Sequence, residues 1–324
     1  MLISTVRIRD LLMHLNQRAA SLDIEVEGDQ NLVLQGVGSV LSALPSELSW
    51  INPSRKDGAA LATSTKAGAL IVAKGFSRGS YSGTLLRCNL PDLAFSLSIE
   101  ILHLEARVSF NPGIHPTAIV DQNAKISKTA YIGPYCYIGA AQIGDGTYLE
   151  SHVRVYGNAS IGKDCMIYSF TSIGGEGFGF VRDETSVPQR MPHIGRVEIG
   201  DRVCVMHHTN IDRPTLGVTR IQNDTKIDHY CHIGHNCNVG RANLIAAGTI
   251  LCGGAKIEDF CFVGARSVIN ESVAIGSHAF IGSGSVVTKH VPAHAVWAGN
   301  PARDVEELKR QLSTLRDLAK SSKG

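Results

Sequence analysis

The sequence predicts a mainly β protein, a parallel β-helix with a small N-terminal α/β domain and a C-terminal helix. Three observations carry this. From Ile221 an aliphatic residue recurs every six positions, in twelve consecutive places: Ile221, Ile227, Ile233, Val239, Ile245, Leu251, Ile257, Val263, Ile269, Ile275, Ile281 and Val287. Residues 1–105 lack that period. Past Pro301 the apolar spacing changes to 3-4-3-4. A period of six matches neither an amphipathic helix nor an alternating strand. It matches a triangular coil with one hexapeptide per side, 18 residues per coil, whose aliphatic residues point inward and stack.

The elements follow in chain order. Val6, Leu11, Leu12, Leu15 and Ala19 share one face of a helix expected over residues 6–20. Short strands are expected at LVLQGV (32–37), ELSWI (47–51), GALIVA (68–73) and GTLLRC (83–88). A proline-started helix is expected from Pro91 to Leu102. Phe110-Asn111-Pro112 marks the hand-over, and coils fill residues 106–298. The hexapeptide register also holds in Ile114, Val120, Ile126, Ile132 and Ile138, in Ile143 to Ile173, and in Ile199, Val205 and Ile211, with one residue lost between Ile138 and Ile143. A Gly often follows the aliphatic residue, as in Ile233-Gly234 and Ile281-Gly282, and is expected to supply backbone freedom at the corners. Residues 174–198 and 212–220 break the register as insertions, and loops thrown from a solenoid land on its functional face. Residues 299–324 form a helical tail, with Val305, Leu308, Leu312, Leu315 and Ala319 as an a/d stripe. That stripe packs either on its own coils or on other copies.

Composition narrows the function. Thirty-one Lys+Arg against 29 Asp+Glu leave a charge of +2, which argues against a nucleic-acid or membrane-surface protein. No apolar run is long enough for a membrane span, and the charged N-terminus lacks a signal-peptide core, so a cytoplasmic location is expected. The eight cysteines form no Cys-x-x-Cys pair and read as small buried thiols.

The densest polar cluster is Asp228-His229-Tyr230-Cys231-His232-Ile233-Gly234-His235-Asn236. Polar residues on coil walls are commonplace, but three histidines together suit acyl transfer, which needs a base near neutral pKa. The 18-residue coil stacks Gly253 on His235. A Gly253 N–H beside such a base could serve as an oxyanion donor; equally, Gly253 could simply turn a corner.

Gly177-Phe178-Gly179-Phe180, His193-Ile194-Gly195-Arg196-Val197, Thr209-Asn210-Ile211-Asp212-Arg213, Lys226-Ile227-Asp228 and Ile233-Gly234-His235-Asn236 occur in this order. With Leu48-Ser49-Trp50, Asn52-Pro53 and Thr65-Lys66-Ala67-Gly68-Ala69, they resemble the UDP-3-O-acylglucosamine N-acyltransferase family of lipid A synthesis over nearly the whole chain. The resemblance implies a left-handed coil, a homotrimer, a uridine-binding N-terminal domain, a UDP-sugar acceptor and an acyl carrier protein as thioester donor, with neither cofactor nor metal. It implies His235 as base, Asp228 as its supporting carboxylate and Gly253 as oxyanion donor. It places Trp50, Asn52, Arg55, Phe178, Gly179, Phe180, His232 and Asn236 at the substrates. Arg55 stands where the family's second base-stacking ring is usual, and arginine also stacks on bases. Ser272 stands where a histidine is common. Ala298-Gly299-Asn300-Pro301-Ala302-Arg303 resembles acetyl-CoA-dependent hexapeptide enzymes. An acetyl-CoA-dependent N-acetyltransferase of another nucleotide amino sugar is therefore the alternative. A zinc hydratase on this fold would need histidines five apart, and Tyr230 and Gly234 stand where they would fall. A non-catalytic scaffold would leave the His235–Gly253 coincidence unexplained.

Overall fold

The computed structural model describes residues 5–103 and 110–321, with side chains to residue 318. The chain divides into two compact units, Met1–Ser109 and Phe110–Gly324. The C-terminal tail, expected as a third segment, groups with the coils.

The first unit is a five-stranded sheet in the spatial order Glu25–Glu27, Thr84–Cys88, Ala69–Ala73, Glu47–Trp50 and Gly36–Val37. Its first pair is antiparallel and the others are parallel. The Ala69–Ala73 strand is buried almost throughout, as its unbroken apolar run requires. Helix α1, Ile8–Arg18, buries Ile8, Leu11 and Leu15. It is shorter than the expected 6–20. Val6–Arg7 pair as a strand with Val33–Leu34, and Ala20–Leu22 form a separate 3-10 turn. Helix α2, Gly58–Ser64, carries no strong apolar period and was not legible in the sequence. Helix α3, Pro91–Leu102, starts at its proline as expected.

The second unit is a prism of three parallel sheets with eight, nine and eleven strands; the eleventh strand of the last is an antiparallel addition, Ala302–Asp304. Strands of two to five residues pair with those one coil away, for instance His232–Ile233 with Ile250–Leu251. The aliphatic series is fully inside from Ile132 onward, but Ile114, in the first coil, is half exposed. Inward threonines and asparagines satisfy the turning backbone; Thr225 Oγ1 donates to the Gly240 carbonyl at 2.7 Å, and Asn243 Oδ1 accepts from Cys261 N–H at 2.7 Å.

The glycines after the aliphatic residues have a different role from the one expected. The left-handed backbone falls two residues later and is mostly carried by non-glycine residues such as Tyr230, Asn236 and Arg266. A Cβ at Gly234 or Gly264 would instead lie 2.8 Å from Leu251 O or 2.5 Å from Ser283 N. Close approach of successive coils demands glycine there, not φ freedom. The 174–198 insertion folds as a hairpin of Phe180–Arg182 with Pro188–Arg190.

All eight cysteines are free, six of them buried. Burial pushes the Cys237 thiol up to about 12. The chain ends in helix α4, Val305–Ser321, where Leu308 packs near Gly299 while Leu312 and Leu315 are exposed. Ala319 lies outside the residues whose side chains are described.

Candidate active site

His235 follows the strand His232–Ile233 of the nine-stranded face, at its edge with the eight-stranded face. Its ring lies directly over Gly253: a methyl there would come within 2.5 Å of Cε1 and 2.8 Å of Nε2. The Gly253 φ is not left-handed, so glycine is required here by the ring above it rather than by the corner. Among the described residues the Gly253 N–H has no acceptor. His235 Nδ1 lies 3.0 Å from Asn236 Oδ1, while Asn236 Nδ2 donates to the Leu216 carbonyl at 3.2 Å. That second bond fixes the amide's direction, so Nδ1 carries the proton and Nε2 keeps a lone pair. Nε2 has no partner among the described residues, and the ring can accept a proton from a bound group.

The inserted segments build the floor. His193 is almost completely buried, its Nδ1 2.9 Å from Met191 O and its Nε2 3.3 Å from Thr215 Oγ1. Its ring stands edge-on to His235 with centroids 5.5 Å apart. Cβ atoms at Gly177 and Gly179 would approach the His193 ring to 3.1 and 2.3 Å, so both glycines exist to let the insertion close over it. Phe178 and Phe180, their rings 5.1 Å apart, stay outside and exposed. Arg213 ties the segments together by donating to the carbonyls of His193 (2.7 Å) and Gly174 (3.0 Å).

Asp212 sits beside these histidines with its side chain only 14% exposed. Burial pushes its carboxyl above the usual range, opposed by the proximity of His232, His235 and His193. His232 Nε2 is 3.7 Å from Asp212 Oδ2, beyond a hydrogen bond.

The expected support of His235 by Asp228 is not what one chain shows. Asp228 follows Lys226–Ile227 of the eleven-stranded face, on another edge of the prism. It accepts from His229 Nδ1 at 2.6 Å and from the Ala247 N–H at 3.1 Å. Burial raises its pKa, but the His229 backbone and ring N–H groups outweigh this and hold it below the usual carboxylate range. The residue that orients His235 within the chain is Asn236. The structure thus brings His232, His235, Asn236 and Gly253 together and adds His193 and Asp212, whose roles depend on folding of the insertions.

Trp50, Asn52 and Arg55 form their own cluster in the N-terminal unit. Phe95 covers one face of Trp50 at 4.1 Å, and Asp92 Oδ1 accepts from both Trp50 Nε1 (2.9 Å) and Asn52 Nδ2 (3.1 Å). Arg55 forms a two-pronged ion pair with Asp57, and its side chain is half exposed. Neither Asp92 nor Phe95 stands out in the sequence, because a first-turn acid and a helix aromatic are ordinary there. Ser272 lies one coil on, near Gly254. Ala298 and Arg303 pair across a tight hairpin. No three His, Cys, Asp or Glu side chains among the described residues converge as a metal site, and no described helix is long and apolar enough to cross a membrane.

A hexapeptide-coil prism is the fold of the hexapeptide acyltransferases, and along one of its edges an imidazole packs on a glycine. The bacterial transferase hexapeptide family (six repeats) matches residues 254–289. The UDP-N-acetylglucosamine acyltransferase structure of Francisella novicida is similar at TM-score 0.55 and 31% identity, covering 61% of this chain and 73% of that one. LpxA of Acinetobacter baumannii matches at TM-score 0.53 and 34% identity, over 61% and 77% of the two chains. The hand of the coil, which periodicity leaves open, is left, as in these structures. UDP-3-O-acylglucosamine N-acyltransferase of Pseudomonas paraeruginosa is 31% identical over 94% of this chain and 90% of its own length. The chain belongs to the UDP-3-O-acylglucosamine N-acyltransferase family.

Proposed function

We propose that the protein transfers a 3-hydroxyacyl chain from acyl carrier protein to the amine of UDP-3-O-acylglucosamine in cytoplasmic lipid A synthesis, as a homotrimer. The observation that carries this reading is His235: among the described residues its Nε2 is free, its tautomer is set by Asn236, and its ring packs on Gly253, whose N–H has no acceptor. The similarity to the Pseudomonas enzyme supplies the substrate class.

In this mechanism the sugar nitrogen attacks the thioester carbonyl while His235 Nε2 takes a proton from it. The carbonyl oxygen becomes an oxyanion that accepts from Gly253 N–H, a contact worth about 10²–10³ in rate in comparable sites. The C–S bond breaks, and the imidazolium returns its proton to the leaving thiolate. His232 and Asn236 line the approach, and the exposed Phe178-Gly179-Phe180 segment offers apolar surface for the acyl chain. Trp50, Asn52 and Arg55 hold the uridine, with the Arg55 plate in place of a second ring. The mechanism uses no metal and no cofactor.

A mass-spectrometric assay tests the reading. It offers UDP-3-O-acylglucosamine with 3-hydroxyacyl carrier protein in parallel with other nucleotide amino sugars and acetyl-CoA. Amide formation from the carrier protein is the expected result. Transfer from acetyl-CoA alone would replace it with the acetyltransferase alternative.

A further inference from the structure

We infer that Asp212 is a catalytic residue that selects an amine acceptor, pairing with the ammonium form of the incoming nitrogen and taking its first proton before His235 takes the second. This rests on the proposed reading that the acceptor is an amine.

The first argument is charge. Asp212 is mostly buried, and among the described residues its carboxylate accepts no hydrogen bond. Of the groups around it, all but His232 are already committed. Both ring nitrogens of His193 are engaged elsewhere, by Met191 O and Thr215 Oγ1. The His235 Nδ1 proton is spent on Asn236. Arg213, its neighbour in the chain, spends its guanidinium on two carbonyls. Glu176 is occupied by Arg190 and the His193 N–H. His232 stands 3.7 Å away, too far to satisfy it. A mostly buried carboxylate whose one close charge contact, His232, stands beyond hydrogen-bond distance is costly, and an arriving group that hydrogen-bonds it would complete it.

The second argument is position. In the nine-stranded face Ile211 pairs with Ile233, which sets Asp212 beside the turn that carries His235. On the other side Asp212 pairs with Gly175, which adds no side chain beside it.

The third argument is proton count. A sugar amine arrives largely as R–NH₃⁺ near neutral pH, and its acylation removes two protons from nitrogen. His235 has one basic nitrogen. The first proton passes from R–NH₃⁺ to the Asp212 carboxylate, leaving a neutral amine. That amine forms the C–N bond. His235 takes the second proton and returns it to the thiolate as C–S breaks. Asp212 then releases its proton to water, so the products are amide, thiol and one free proton. A hydroxyl acceptor loses only one proton and has no use for Asp212.

The test compares wild type with Asp212→Asn, which preserves shape, and with Asp212→Glu, which preserves charge. The ligands are UDP-3-O-acylglucosamine and its 2-hydroxy analogue. We expect Asp212→Asn to lower kcat/KM by about 10²-fold at pH 7, with the deficit shrinking toward pH 9 as free amine becomes abundant. Calorimetric Kd should weaken about tenfold for the amino ligand in Asp212→Asn, stay within twofold for the hydroxy analogue, and recover partly in Asp212→Glu. Equal weakening for both ligands, a pH-independent loss of rate, or unchanged kcat/KM overturns the inference while leaving the proposed function standing. A wild-type enzyme inert toward every amine overturns both.

Discussion

On the edge between the eleven- and nine-stranded faces, His229 and His207 stand in a closed line. Asp228 Oδ1 meets His229 Nδ1 at 2.6 Å, His229 Nε2 meets His207 Nδ1 at 3.2 Å, and His207 Nε2 meets Glu150 Oε2 at 3.1 Å. Ser169 completes Glu150 with its backbone N–H and hydroxyl. On the edge between the nine- and eight-stranded faces, among the described residues, His235 Nε2 and the Gly253 N–H have no partner and the Asp212 carboxylate accepts no hydrogen bond. The same hexapeptide builds both edges. A histidine cluster is therefore not a site by composition. Among the described residues the first edge has spent its hydrogen-bonding capacity on itself, and the second has left it unspent.

The largest effect should come from His235→Ala, which lowers kcat about 10³-fold with circular dichroism and oligomeric state unchanged. Gly253→Ala should follow at about 10²-fold, because its methyl displaces the His235 ring and disturbs the N–H beneath it. Asn236→Ala frees the tautomer and orientation of His235 and should lower kcat about tenfold with KM little changed. If Asn236→Ala is silent while single-turnover rates stay normal, the orienting role assigned to Asn236 is wrong.

The next contrast is in stability. Asp212 has a raised folded-state pKa, so its contribution is most favourable at acid pH and is lost as pH rises through that value. Asp228 and Glu150 have lowered ones, so theirs is present above the unfolded carboxylate range and is lost as pH falls through the folded values. At pH 7 Asp212→Asn should accordingly raise the melting temperature, and Asp228→Asn should lower it. Shifts of about 2–4 °C, read by calorimetry, are the expected scale. Shifts of the same sign would erase the distinction between the edges. The smallest effect should come from His207→Ala. It opens the closed line, costs about 1 kcal/mol in urea unfolding, and leaves kcat within about twofold of wild type.

Some of this was legible beforehand. The inward series, the two insertions and the stacking of His235 on Gly253 could be counted off the chain, because a solenoid turns sequence separation into height along one axis. Helix α3 could be read from Pro91. Other elements could not. Helix α2 lacks a period, and α1 lost its ends to a strand pair and a 3-10 turn. The glycines after Ile233 and Val263 suggested corners, yet they answer to the coil above, a contact 18 residues away that local conformational reasoning does not reach. Asp228 was assigned to His235 by resemblance, although in one chain a face of the prism separates them.

The sequence by itself determined the period, the coil, the inward residues and the base-over-glycine pair. Each of these follows from a fixed repeat acting on neighbours along one direction. Tertiary structure alone decided which carboxylate meets which histidine, which nitrogen of His235 is free, and why Gly177 and Gly179 lack side chains. Around His235 those depend on the 174–198 and 212–220 insertions folding back across the coils; on the other edge they depend on which side chains successive coils stack together.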